Sequence, residues 1–318
     1  MRITAFLSCL ILFLFSTSCT SLGPKEHGSI VNHPYPPIET FEEVEKKTSE
    51  LIAKYGPTNV LVVCDLDNTL LAMNQDLGSV QWYDWQKTFA SDHPDRVMLK
   101  DMNLLEIQWL LYSNSGMHPP EQALPEILGK LQNKNVTTLI LTSRSPPVRD
   151  ATRRELVKNG YLLARTALNI PQENKNLESY CPFEPPSEPK EDQPCTFTDH
   201  HQGKYQLTPQ EINYIQTKGV RPVSYAQGVY MTAGQHKGAM LKTILTKSKK
   251  NFKGIIFVDD TNQHVENVYD SFKETDIEIV SYLYTQEAEK VKFFEQGDKH
   301  NAKTSWKLFR ETSNAIFK

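Results

Sequence analysis

Residues 59–71 read NVLVVCDLDNTLL. Val60, Leu61, Val62, Val63 and Cys64 make an unbroken apolar run, the pattern of a short strand buried on both faces of a parallel sheet. The run breaks at once onto Asp65, Leu66, Asp67, Asn68 and Thr69. In open α/β sheets, ligands collect at the carboxyl ends of the strands. A strand that delivers two carboxylates there presents them to whatever binds. Asp65 and Asp67, at i and i+2 of an extended segment, point the same way. Their repulsion calls for a cation, and hard oxygen donors suit Mg²⁺. Read alone, the same residues also describe an ordinary Asp-Asn turn after a core strand.

One more strand ends on paired acids, and another ends on a hydroxyl. Residues 254–258, GIIFV, are purely apolar and break onto Asp259 and Asp260. Residues 136–141, VTTLIL, lead onto Thr142, Ser143 and Arg144. A hydroxyl at a strand end, followed by backbone N–H groups opening toward a helix, is a phosphate cradle, although Thr as a plain cap is the other reading. Arg144 is placed to reach a second anionic group of a substrate or to be solvated. The sequence Gly234-Gln235-His236-Lys237-Gly238 opens a helix expected over residues 239–245. A Lys at a helix start opposes the dipole unless an anion pairs with it, which makes Lys237 a partner for a phosphate or a nucleophile. Lys242, Lys247, Lys249 and Lys250 read as the solvated end of that helix.

Around these segments the chain alternates helices and strands, the pattern of an α/β fold: a Rossmann-like parallel sheet with helices on both faces. Helices are expected over 40–55, with Thr40 and Glu43 as a capping box, over 121–132, and over 150–159, ended by Gly160. A further strand is expected at 161–164, a hairpin within 222–232, a last strand at 277–284, and closing helices from 288 onward. Two stretches interrupt the alternation. Residues 72–120 are helical and aromatic, with Trp82, Trp85 and Phe89 read as their own core. Residues 170–225 are irregular and hold Asp199-His200-His201, whose spacing fits no zinc pattern and which read as a solvated loop. Cys181 and Cys195 bracket CPFEPPSEPKEDQPC, a loop with little apolar surface to bury. A disulfide closing a loop of this size would contribute about 3 kcal/mol. Cys64 reads as a small buried apolar residue.

Taken in chain order, Asp65-Leu66-Asp67-Asn68-Thr69, Thr142, Lys237 and Asp259-Asp260 resemble the four motifs of the haloacid dehalogenase (HAD) superfamily. Asn262, His264 and Asn267 extend the fourth. The resemblance implies that Asp65 attacks phosphorus and that Asp67 shuttles the proton. Asp65, Asp67 through its carbonyl, Asp259 and Asp260 would hold Mg²⁺, and Asn68, Thr142, Ser143 and Lys237 would bind the phosphate. Residues 39–318 would form the core domain, with 72–120 as a helical cap and 170–225 as a second insert. The function implied is Mg²⁺-dependent hydrolysis of a small-molecule phosphomonoester through an aspartyl-phosphate. A catalytically silent binding protein on the same fold is the alternative. Asp67 argues against a dehalogenase, which has no leaving group to protonate.

At 318 residues, 39% hydrophobic and 23% charged, the chain has an ordinary globular composition. Its formal net charge of −3 carries no basic surplus to advertise nucleic acid. Arg2, the apolar run at 5–15 and Ser16-Thr17-Ser18 before Cys19 match a secretory signal over 1–18. The apolar run is too short to span a bilayer. A small residue before Cys19 resembles a bacterial lipobox, which would lipidate Cys19 and anchor the protein to the membrane. Simple cleavage near Ser18 is the other reading. Residues 19–38 then read as a tether, and the address as a bacterial periplasm or envelope. Export permits the Cys181–Cys195 bridge. Within the superfamily, this address resembles that of envelope acid phosphatases and of an exported, uncharacterised branch.

Overall fold

The computed structural model describes residues 34–162, 164–170, 178–183 and 194–316. The signal segment, Cys19 and the tether up to residue 33 lie outside the described residues. In chain order the elements are α1 (Phe41–Tyr55), β1 (Val60–Cys64), β2 (Ala72–Met73), α2 (Val80–Lys87), α3 (Leu104–Asn114), β3 (Met117–His118), α4 (Leu124–Asn133), β4 (Thr137–Thr142) and α5 (Arg149–Lys158). There follow α6 (Asp199–Lys204), α7 (Pro209–Lys218), β5 (Ser224–Ala226), β6 (Val229–Met231), α8 (Lys237–Ser248), β7 (Gly254–Asp259), α9 (Asn262–Phe272), β8 (Glu278–Leu283), α10 (Ala288–Gln296) and α11 (His300–Ile316).

The fold is α/β, built on a six-stranded sheet in the order β5-β6-β4-β1-β7-β8. Every pairing is parallel except β5 with β6. Strand alternation sorts the core into two layers. Val60, Val62 and Cys64 pack with Ile256, Val258 and Ile140 against α1, α4 and α5. Leu61 and Val63 pack with Leu139, Leu141 and Phe257 on the other face, against α8 and α9. Each such side chain contributes about 1.5–3 kcal/mol by leaving water. That is why β1 is apolar at every position rather than at alternate ones. The chain runs outward from β1 through β4 to β6 and returns to β7 on the opposite side of β1. The order therefore reverses between β1 and β7, and a crevice opens at their carboxyl ends.

Residues 72–120 leave the sheet through a two-stranded antiparallel stem, in which Ala72 pairs with His118 and Met73 with Met117. Their core joins Leu77, Trp82, Val97, Leu99, Leu104, Ile107 and Leu111, and it is completed by Phe294, Ala302 and Trp306 from α10 and α11. The closing helices thus belong to the cap's packing.

Several local expectations give way to tertiary partners. Thr40 stands at the N-cap of α1 but makes no side-chain cap bond. The free Phe41 N–H donates instead to Glu121 Oε1 at 3.0 Å. The same carboxylate accepts from the Tyr284 hydroxyl at 2.6 Å, which draws Glu121 out of the following helix, and that helix begins at Leu124. Tyr161 and Leu162 form no strand; the Tyr161 hydroxyl is tied to the Leu70 carbonyl at 2.6 Å. Asp199-His200-His201 is not a solvated loop but the first turn of α6, with His201 buried beside Phe183 and Phe197. Lys242 is not solvated either: it is buried and paired with Glu211 of α7 at 2.8 Å. Ile38, read as the last tether residue, is buried and pairs with Tyr284 beyond β8. The Cys181–Cys195 disulfide is formed, and it adjoins Tyr180, which bridges to Val223.

Candidate active site

β1 does not simply end at Cys64. The Asp65 N–H still donates to Val258 O at 2.8 Å, so the sheet ladder fixes the backbone of the first acidic residue. The next residues wrap around one carbonyl: Leu66 O accepts from the N–H groups of Thr69, Leu70 and Leu71 at 3.3, 2.9 and 2.9 Å. Asn68 closes the loop in the left-handed region, at φ 58°, a conformation Asn tolerates better than most residues. The result is a rigid acidic turn at the crevice.

Lys237, the first residue of α8, is fully buried. Its ammonium donates to Asp65 Oδ1, and to Asp259 Oδ2 at 2.5 Å. The positive charge that a helix start disfavours is thereby met by two carboxylates. Asp259, at the end of β7, is held further by the Thr261 N–H at 2.9 Å and by His264 Nδ1 at 3.2 Å. Asp260 accepts from Asn68 Nδ2 at 3.2 Å. Asp65, Asp259 and Asp260 each place a carboxylate oxygen within 4.8 Å of the others, an all-oxygen donor set.

Asp67 points elsewhere. Its two oxygens accept from Arg144 Nη2 and Nε, at 2.8 and 2.9 Å, in a bidentate pair. The Asp67 side chain is therefore not part of the metal-type cluster, and Arg144 is neither solvated nor free for a second anionic group. Arg144 Nη1 donates to Thr152 Oγ1 at 2.8 Å and Nη2 to the Met117 sulfur at 3.3 Å. Its guanidinium lies 4.2 Å over the ring of Tyr112. Thr142 ends β4, with its carbonyl accepting from both the N–H and the hydroxyl of Thr232 at 2.9 Å. The Thr142 hydroxyl accepts from the Arg144 N–H at 3.1 Å, and Ser143 stands half-buried between them.

Four carboxylates here face two cations, Lys237 and Arg144, so full ionisation would leave two negative charges in excess in a largely buried cluster. The titration of the acids reflects that excess. Burial pushes Asp65 up to about 7, against the pull of Lys237 and with help from Asp259 and Asp67. Burial, Asp259 and Asp65 raise Asp260 well above the usual carboxylate range. Burial also acts against Asp259, but Lys237 and His264 outweigh it and hold that carboxyl down at about 2. The pocket thus favours added positive charge, and its hard oxygen donors suit a divalent cation such as Mg²⁺.

Asp65, Lys237, Asp259 and Asp260 were each legible as a strand end or a helix start. Tyr112, Met117 and Thr152 were not, because they meet Arg144 only in three dimensions. The one cue was Arg144 itself, placed two residues past a strand end. A family model described as "Protein of unknown function (DUF2608)" matches residues 37–315. No curated protein and no solved structure matches the chain.

Proposed function

Because the chain belongs to the DUF2608 family, whose description assigns no activity, we propose one from the crevice: a phosphomonoester hydrolase of the HAD type, working through Asp65. The single observation that carries this reading is the union of Asp65, Lys237 and the Asp259-Asp260 pair, which come from three separate segments. An Asp Oδ would attack phosphorus as the bond from phosphorus to the leaving oxygen breaks, giving an aspartyl-phosphate. Asp67 would give its proton to the leaving oxygen. It would then take one from the water that attacks phosphorus and frees Asp65. Lys237 would fix the rotamer of Asp65, and Asn68 that of Asp260. Thr142 and Ser143, with the N–H groups of their turn, would bind the equatorial oxygens.

Asp65, Asp259 and Asp260, with the Asp67 carbonyl, would hold the Mg²⁺, which when bound supplies the charge that lets a carboxylate meet a phosphate. Purified protein is expected to hydrolyse p-nitrophenyl phosphate with MgCl₂ and not with EDTA. Asp65→Asn should lower turnover by roughly a thousandfold or more.

One observation favours a second reading, a silent binding protein: both Asp67 oxygens are engaged by Arg144. Carrying a proton removes the charge that makes that pair strong and weakens both bonds. Mg²⁺ binding without turnover on any phosphoester of a broad panel would select this reading. The envelope address rests on the apolar run and Cys19. Incorporation of a radiolabelled fatty acid that is lost in Cys19→Ala would support it, and no incorporation would leave plain signal cleavage.

A further inference from the structure

We infer that Tyr112, on the cap helix α3, is a positioning residue for proton transfer: its ring and the Met117 sulfur keep the Arg144 guanidinium in place while Asp67 exchanges its proton. This rests on the reading of Asp67 as the proton carrier. Asp67 accepts from Arg144 through both oxygens, and protonation removes the negative charge that makes this bidentate pair strong, so both bonds weaken whenever Asp67 carries a proton. A guanidinium held only by Asp67 would tilt or move when those bonds weakened, and the carboxyl would lose its aim.

Arg144 is not held only by Asp67. Thr152 Oγ1, from α5, takes Nη1 at 2.8 Å, and Met117, from β3, takes Nη2 at 3.3 Å. The Arg144 guanidinium carbon lies over the Tyr112 ring, 4.2 Å from its centre, and the Arg144 side chain is 2% exposed. Two of these three supports come from the cap segment and one from the core. A cation seated over a ring is attracted to it without using a hydrogen bond, so that contact persists while the donors rearrange.

The cap supports are themselves fixed to the helix that carries Thr152. The Met117 N–H donates to Glu155 Oε2 at 2.9 Å, and Asn159 Nδ2 donates to Met117 O at 3.2 Å. Arg154 reaches the carbonyls of Ser113, in the last turn of α3, and Ser115, its C-cap, at 2.8 and 3.2 Å. Tyr112 is steadied on its own helix, where its hydroxyl accepts from Gln108 at 3.1 Å. Helix α5 is thus the common frame for all three contacts on Arg144.

A purely structural tie between cap and core would be indifferent to the leaving group, and this difference gives the test. Phenyl phosphate and p-nitrophenyl phosphate are alike in size, but phenolate is the poorer leaving group and needs the proton more. The full-length protein, Tyr112→Leu and Tyr112→Phe are compared by kcat/KM on both substrates with MgCl₂, with thermal unfolding as the folding control. Tyr112→Leu is expected to lose at least about tenfold more on phenyl phosphate than on p-nitrophenyl phosphate, a part of the 10²–10⁴ that general acid catalysis supplies. Tyr112→Phe, which keeps the ring, should retain the unaltered ratio. Should Tyr112→Leu not fold, Met117→Leu decides, since it removes the sulfur acceptor at similar volume and should shift the ratio the same way. Equal losses on the two substrates, or none, overturn the inference while leaving the phosphatase reading intact. No turnover of either substrate by the unaltered protein overturns both.

Discussion

Lys237 shows how a single residue can organise a pocket that its neighbours would otherwise destabilise. With its side chain wholly buried between Asp65 and Asp259, it offsets the repulsion of two carboxylates that sit at adjacent strand ends. Removing one partner of a buried ion pair costs about 3–5 kcal/mol, because the charges left behind lose both water and their counter-charge. Lys237→Met, close to Lys in volume, is therefore expected to lower unfolding stability in EDTA by that amount, as read from urea denaturation. A loss under about 1 kcal/mol, the range of exposed pairs, would show that the carboxylates are reached by water. The residue was legible because a cation at a helix start contradicts the dipole and so requires an explanation. Arg144 carried no such contradiction. A basic residue on a turn satisfies every local rule, and nothing in the sequence distinguishes a solvated guanidinium from one seated over the ring of Tyr112.

At the scale of elements, the strands were easier to read than the helix ends. β1 and β7 are buried on both faces, so their residues answer to one constraint, and the apolar runs mark them within a residue. Helix starts answer to whichever group supplies the missing acceptor. For α1 that group is Glu121, eighty residues away, which no capping pattern encodes. α11 is a stronger case: Ala302 and Trp306 lie one turn apart and pack into the cap's core beside Phe294. Replacing a buried Trp by Ala typically costs about 3–5 kcal/mol. Trp306→Ala is expected to do so, and to open the segment 72–120 to limited proteolysis before the sheet unfolds. Cleavage first at residues 300–316, with the cap still protected, would mean that α11 only rests on the cap. In the second insert the Cys181–Cys195 bridge closes a loop of sequence separation 14. Opening such a loop costs about 2–4 kcal/mol in the chain-entropy account. Cys181→Ser with Cys195→Ser should lower stability by that amount in guanidinium titrations, and reductant should bring the unaltered protein down to the same level. The acid and proline content of the loop made this bridge legible, whereas α6 and α7 were hidden by the same irregular composition.

For the whole molecule, the consequence of gathering these acids is a stability that runs against the usual pH trend. Asp65, pushed up to about 7, and Asp260, also raised, bind protons more tightly folded than unfolded. An acid shifted upward contributes stability that is full below its unfolded value, about 3.9, and is lost as pH rises through its folded value. Asp259, held down at about 2, contributes stability that is lost only as pH falls through that value, so it is constant across pH 5–8. His236, lowered by burial, acts in the opposite sense and gains stability as pH rises through its unfolded value. In EDTA the acids should therefore cost the fold a few kcal/mol between pH 5 and 8, less the His236 gain. A divalent cation held by Asp65, Asp259 and Asp260 takes the place of the bound protons, so its affinity should grow as those protons leave. The difference in melting temperature between MgCl₂ and EDTA, measured at pH 5.5 and again at pH 8, removes the His236 contribution because it is common to both. That difference is expected to be clearly larger at pH 8. An equal gain at the two pH values, or none, would mean that the three carboxylates do not share a cation, and the charge excess in the crevice would then have to be met by protons alone.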